Sequence, residues 1–202
     1  MTPSSASGGP TVGLVALQGG VREHRLMLES LGARVVPLRS GDDLVGPDGV
    51  RVDAVLLPGG ESSTIDKLLR MFDLFGPLRA SVAAGLPALG TCAGLVLLAR
   101  EVEDRAPDQR SLGVLDVSVR RNALGSQVDS AETELDCTLG AVRVAFIRAP
   151  IVTRVGPDVE VLARRDGQVV AVRQARVTGI AFHPELTGEN VFHRRLLSDI
   201  QG

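Results

Sequence analysis

The sequence predicts an α/β fold: a mostly parallel sheet with helices on both faces, in a three-layer arrangement, and an antiparallel extension in the second half. Three observations lead there. Through about residue 113, apolar β-rich runs alternate with helical stretches, and the runs are apolar on both faces, as strands buried between two helix layers are. After Gly113 the texture changes to short β-rich runs separated by Gly, Asp or Pro, with little room for helices. The 202 residues fit one domain large enough to bury a substantial core.

The elements follow in order. TVGLVALQGG (11–20) is a strand and its turn, and VREHRLMLESLG (21–32) is a helix with Val21, Leu28 and Leu31 at helical spacing, stopped by Gly32. ARVVPL (33–38) is the next strand. RVDAVLLPGG (51–60) leads into a helix from about Ser62 to Arg70, and GLPALGTCAG (85–94) into one from about Ala93 to Glu101. The second half offers strands in GVLDVSV, ETELDCTLG, VRVAFI, VEVLAR, QVVAVRQ and VTGIAFH, and ENVFHRRLLSDI closes the chain as an amphipathic helix. MTPSSASGGP (1–10) is too small and polar to order itself and is expected to be a flexible tail, leaving 11–202 as a single domain.

Composition excludes several classes of function. A net charge of −2, no Trp, no Tyr and only five Phe give nucleic acid neither an electrostatic footprint nor a stacking surface. No apolar run approaches the ~18 residues of a membrane span, and the N-terminus lacks the basic start and apolar stretch of a signal peptide, so a cytoplasmic protein without membrane contact is expected. Two distant cysteines read as reduced thiols, and no set of residues has zinc-ligand spacing, so neither a metal nor a cofactor is expected.

Candidate chemistry centres on GTCAG (90–94). A short buried strand, Pro87-Ala88-Leu89, turns through Gly90-Thr91-Cys92-Ala93-Gly94 into a helix, the pattern of a nucleophile elbow with Cys as the nucleophile. The turn is so tight that positions 90, 93 and 94 must be small. The thiol would then stand at the carboxyl end of the sheet, where the positive end of a helix favours a thiolate. A small hydrophobe filling the joint is the alternative reading. The expected base is His183, in AFHPELT at the end of the last strand. Pro184 is expected to keep the chain extended, so that His183 and Glu185 point to one side and the carboxylate orients the imidazole. His24 and His193 are each flanked by charged residues and are expected on the solvated surface, and Cys137 in packing. In LLPGGESST (56–64) the Gly-Gly pair lets backbone N–H groups approach a ligand: an oxyanion, or a phosphate, although the Gly-Lys-Ser/Thr ending of a P-loop is missing. Ser62 or Ser63 is expected to cap the following helix.

GTCAGL with the downstream His-Pro-Glu resembles class I glutamine amidotransferases, a flavodoxin-like fold whose triad runs Cys, His, Glu in chain order. More closely, LVALQGGVREH, LPGGESST, GTCAGLVLLA, RRNALGSQVDS, FIRAP and AFHPELT, spread over residues 12–187, resemble the PdxT/SNO family, the glutaminase subunits of pyridoxal 5′-phosphate synthase. The resemblance implies Cys92 as nucleophile with His183 and Glu185, the Gly60 and Ala93 amides as oxyanion hole, and Gly60, Glu61, Ser62, Arg121, Ile147 and Arg148 as the glutamine site. It further implies L-glutamine as substrate and a barrel-shaped synthase subunit as partner. That subunit takes up the ammonia, together with a pentose phosphate and a triose phosphate, and is contacted near Gln18 and VREH. Gly20, where the family has alanine, and the divergent loop EDRAPDQRS (103–111) are expected to lie away from the chemistry. The rivals are a glutaminase serving another synthase, a γ-glutamyl hydrolase, and an inactive binding or scaffold subunit.

Overall fold

The structure, a computed structural model, describes residues 9–124 and 132–201. Most of the expected tail (1–8) and the stretch 125–130 of RRNALGSQVDS lie outside the described residues. The first half comprises β1 (Thr11–Val15), α1 (Val21–Ser30), β2 (Arg34–Leu38), α2 (Gly41–Leu44), the two-residue strands β3 (Val45–Gly46) and β4 (Gly49–Val50), β5 (Ala54–Leu57), α3 (Ser62–Met71), α4 (Phe75–Ala83), β6 (Ala88–Thr91) and α5 (Ala93–Leu98). The second comprises β7 (Ala99–Val102), β8 (Leu115–Leu124), β9 (Glu132–Cys137), β10 (Gly140–Ala145), β11 (Ala149–Val155), β12 (Glu160–Arg165), β13 (Gln168–Gln174), β14 (Val177–Ile180), a 3₁₀ turn (Pro184–Leu186) and α6 (Val191–Gln201).

Twelve strands form one sheet. Its parallel part runs β2-β1-β5-β6-β14, and from β14 the order continues antiparallel through β13, β12, β9 and β10. β11 pairs antiparallel with β13 and β8, and β7 pairs parallel with β8. The predicted antiparallel extension is therefore present. After β2 the chain crosses back over β1 to β5, and right-handed crossovers on the two sides of that reversal put helices on opposite faces. α1 meets α6 on one face, and α3 packs with α4 and α5 on the other.

A single apolar cluster runs through both halves. β5, β6 and β14 are buried at every residue, which is why their sequences show no alternation. Three of the five phenylalanines, Phe146, Phe182 and Phe192, stack edge to face with neighbouring centroids 5.4 Å apart. Each immediately precedes a residue of interest: Ile147, His183 and His193. Full burial of each ring contributes roughly 1.5–3 kcal/mol, so these three positions are anchored from inside the core. Arg173 on β13 grips Asp199 on α6 through two hydrogen bonds of 3.1 and 2.8 Å and ties that helix to the sheet.

Several elements differ from expectation. The helix after Cys92 stops at Leu98 rather than Glu101, because Ala99–Val102 is drawn into pairing with β8. α4 is masked in the sequence by Gly76 and Pro77, which read as a break but sit in the helix's first turn, where a missing N–H costs nothing. β11 is masked by Pro150. The structure accommodates that proline at a register shift between Ala149 and Ile151, a usual place for proline in a sheet. The β3–β4 hairpin carries no recognisable signal.

Candidate active site

The carboxyl ends of the parallel strands converge, as ligand sites in open α/β sheets do. β1 leads to Gln18–Gly20, β5 to Gly59–Gly60, β6 to Cys92 and β14 to His183. Cys92 has φ 49° and ψ −102°, a conformation unfavourable for a residue with a Cβ and maintained only by its surroundings. Its amide donates to Ile180 O at 2.8 Å and its carbonyl accepts from Val96. The flanking glycines are required by close approach: a Cβ on Gly90 would lie 2.6 Å from the Gly94 carbonyl, and one on Gly94 would lie 2.1 Å from Leu57 O. The predicted elbow is present in backbone geometry, with a thiol that is largely buried yet lines a pocket.

His183 is fixed at both ends. Its amide donates to Ala145 O at 2.9 Å in an antiparallel bridge, and its Nδ1 lies 2.7 Å from Glu185 Oε1. That leaves Nε2 as the ring nitrogen available to Cys92, whose thiol is near enough to act on the imidazole's proton affinity. The sequence predicts this pairing but not its local reason: Pro184 opens a 3₁₀ turn instead of extending the chain, and the turn folds Glu185 back onto the ring. Gly59 is bare because the imidazole lies against it; a Cβ there would be 2.3 Å from His183 Cε1. Burial alone would lower the His183 pKa, but hydrogen bonds and charge attraction from Cys92 and Glu185 prevail and push it up to about 10.

The two remaining histidines overturn the surface expectation. His24 and His193 are both fully buried; His24 Nδ1 lies 2.8 Å from His193 Nε2, and His24 Nε2 lies 3.1 Å from Thr91 Oγ1. Burial lowers the His24 pKa well below the usual range, helped by charge repulsion from His193 and His183, and lowers that of His193 to about 4. Cys137 lies half-buried on β9, packed against the core as expected, and both cysteines are free thiols.

Every residue expected to bind substrate lines one pocket with Cys92 and Ala93: Gly60, Glu61, Ser62, Arg121, Ile147 and Arg148. Val96, Asn122 and Pro150 complete the lining. As the first residue of α5, Ala93 has an amide with no acceptor inside its own helix, and the residue lines the same pocket. Glu61, not Ser62 or Ser63, caps α3. Its Oε2 accepts from the Thr64 amide at 2.9 Å and from the Ser63 hydroxyl, and these bonds outweigh burial and hold its pKa low. The Glu61 amide in turn donates to Gln18 Oε1 at 2.9 Å.

Arg121 shows what the sequence conceals. Its Nη1 donates to Gln109 Oε1 at 2.9 Å and its amide to Asp104 Oδ1 at 2.9 Å, while Gln109 Nε2 donates to Ser62 Oγ at 3.1 Å. Gln109 and Asp104 both come from the loop expected to lie away from the chemistry; that loop instead holds Arg121 in place at the pocket. Gly20, too, lies beside the chemistry rather than away from it: a Cβ there would sit 3.6 Å from Glu185 Oε1, an ordinary contact that an alanine would make without strain. Among the described residues, no helix is long and apolar enough to cross a membrane, and no three His, Cys, Asp or Glu side chains gather as metal ligands.

The model of the SNO glutamine amidotransferase family matches residues 14–200. Proteins named pyridoxal 5′-phosphate synthase subunit PdxT are similar over almost their whole length. The one from Acidothermus cellulolyticus is 53% identical, covering 91% of this chain and 90% of its own, and the one from Clavibacter sepedonicus is 52% identical, covering 99% and 95%. A crystal structure named as a glutamine amidotransferase superposes with a TM-score of 0.86 at 42% identity, covering 95% of this chain and 99% of that one. PurLQS from Thermotoga maritima shares the fold at a TM-score of 0.61 and 16% identity, covering 96% and 98%.

Proposed function

The chain belongs to the SNO glutamine amidotransferase family, and from that premise we propose that it is the glutaminase subunit of a pyridoxal 5′-phosphate synthase, releasing ammonia from L-glutamine for vitamin B6 synthesis. The observation that carries the proposal is a single pocket. Cys92, paired with a histidine and a buried carboxylate, opens onto a lining that contains Arg121 and Arg148 for the ligand's carboxylate and acidic or hydroxyl groups for its ammonium. Residues 11–202 act as one amidotransferase domain.

In the mechanism, the Cys92 thiolate attacks the side-chain amide carbon of glutamine. The Gly60 and Ala93 amides receive the negative oxygen of the tetrahedral intermediate. His183, whose raised pKa keeps it protonated at neutral pH beside the sulfur, gives its proton to the departing nitrogen, and ammonia leaves. Water, deprotonated by the now neutral imidazole, attacks the γ-glutamyl thioester, releasing glutamate and regenerating the thiolate beside the protonated imidazole. Glu185 fixes His183 through Nδ1 throughout. Arg121, held by Gln109, positions the substrate.

Ammonia released into bulk water is lost, so the product has to pass to a partner while protected. The resemblance supplies that partner as the barrel-shaped synthase subunit, docked near Gln18 and α1, with both subunits in the cytoplasm and neither membrane nor nucleic acid involved. The test is glutamate release, and incorporation of the amide nitrogen of labelled glutamine into pyridoxal 5′-phosphate, with and without the synthase subunit. Turnover is expected to rise on mixing and to vanish in Cys92→Ala. Full activity in that variant, or label that never reaches the vitamin, refutes the proposal.

A further inference from the structure

Below the pocket, five reactive or titratable side chains form a continuous line: Cys92, His183, Glu185, His24 and His193. The proposed chemistry uses the first three. The last two are fully buried, and two imidazoles are not sequestered from water without hydrogen bonds to compensate.

The hydrogen bonds decide where their protons sit. His193 Nδ1 is buried without a partner among the described residues, and a stranded N–H is less tolerable than a stranded lone pair. His193 therefore carries its proton on Nε2 and donates to His24 Nδ1, 2.8 Å away. His24 then carries its own proton on Nε2, 3.1 Å from Thr91 Oγ1 and 3.5 Å from Glu185 Oε2. Glu185 Oε2 has no hydrogen-bond partner among the described residues, although only 1% of the side chain is exposed, and His24 Nε2 is the nitrogen that stands over it. The opposite tautomer would set a His24 lone pair against the carboxylate and strand an N–H on His193. The titratable groups facing His24 are His193 from α6, and Glu185 and His183 from the segment after β14. Because both buried rings stay neutral, His24 presents an N–H to the carboxylate without a positive charge that would compete with His183.

We propose that His24, its tautomer set by His193, is a positioning residue for glutamine hydrolysis. Its Nε2–H steadies the free oxygen of Glu185, so that Glu185 keeps Oε1 on His183 Nδ1 and His183 keeps Nε2 on the Cys92 sulfur. The proposal rests on the glutaminase reading given above.

The experiment compares His24→Leu and His24→Gln with wild type, each with the synthase subunit present. It measures kcat, KM for glutamine and the pH profile, with thermal unfolding as the check on folding. His24→Leu is expected to lose about 100-fold in kcat, the cost of a loosened catalytic geometry, with KM within about threefold and the acidic limb of the profile displaced. In His24→Gln the introduced side-chain amide N–H reaches close to the position of the imidazole Nε2 and is expected to restore at least about tenfold of the loss. In ¹⁵N spectra of the wild-type histidine side chains, His24 and His193 should both be protonated at Nε2. Wild-type kcat in His24→Leu, no recovery in His24→Gln, or a proton on His24 Nδ1 overturns the proposal. If His24→Leu does not fold, His24→Gln and the wild-type spectrum still decide, because an inactive His24→Gln or the other tautomer defeats it. Cys92→Ala separates the two levels: activity surviving there defeats the glutaminase reading itself, whereas a dead Cys92→Ala beside a fully active His24→Leu defeats only the role of His24.

Discussion

Glu185 is almost completely enclosed and bonded to an imidazole whose backbone is bridged to β10, and Cys92 sits in a turn whose flanking glycines are required by close approach. Across the same pocket, Asn122 and Arg148 come from the antiparallel half. Both are exposed, with φ of 48° and 44°, Asn122 near the end of β8 and Arg148 just before β11, rather than at buried parallel strand ends. The parallel half thus supplies a dry, over-determined set of groups, those proposed to react. The antiparallel half supplies polar groups that adjust to a ligand. Electrostatic preorganisation needs the first kind of wall, and capture of a small zwitterion needs only the second. Substitutions on the two walls should accordingly separate into losses of kcat and losses of KM.

The largest effect expected is at Cys92. Replacement by Ala should reduce kcat by at least about 10³-fold while calorimetric binding of glutamine persists; loss of binding together with turnover would erase the distinction between the walls. Next is the acid stability of the buried histidine pair. The His193 pKa is depressed, so the unfolded chain takes up a proton below about pH 6.5 that the native state refuses, and stability should fall as pH drops from about 6.5 toward 4, by up to about 3 kcal/mol. His183 acts in the opposite sense: its raised pKa contributes stability that is complete below about 6.5 and fades as pH rises toward 10. Urea midpoints across that range should show the acid slope in the wild type and a shallower slope in His193→Gln. Glu185→Gln should cost about 100-fold in kcat with little change in KM, measured as initial rates of glutamate release. Arg121→Lys, which keeps the charge but loses the planar fork held by Gln109, should raise KM about tenfold and leave kcat within about threefold. A kcat effect there as large as that of Glu185→Gln would mean that the two walls act as one.

The grouping of Cys92, His183 and Glu185 proposed as a triad is legible in the sequence because its signals are local. Glycines two positions either side of Cys92 and the three-residue His-Pro-Glu need no tertiary knowledge. His24 and His193 read as surface residues because Glu23, Arg25, Arg194 and Arg195 surround them in sequence, whereas burial depends on which stripe of a helix meets the sheet. The periodicity does hold the answer: His24 lies between Val21 and Leu28 at positions i, i+3 and i+7, and His193 precedes Leu196 and Ile200 in the same way. The role of Gln109 and Asp104 has no such signal. A loop reaching across to brace an arginine twelve or seventeen residues later is a tertiary fact. α4 and β11 are obscured by prolines whose tolerated positions, a first helical turn and a bulge, become apparent only once the neighbouring backbone is known.

β14 follows all the other strands in the chain yet occupies the middle of the sheet, between β6 and β13. During synthesis on the ribosome, the strand bearing Cys92 therefore emerges well before the strand that carries its imidazole partner. Until that strand slots in, the two sides of the sheet have no seam and the thiol has no base. The order of translation thus keeps a reactive sulfur dormant until the rest of the scaffold is ready to receive its final piece.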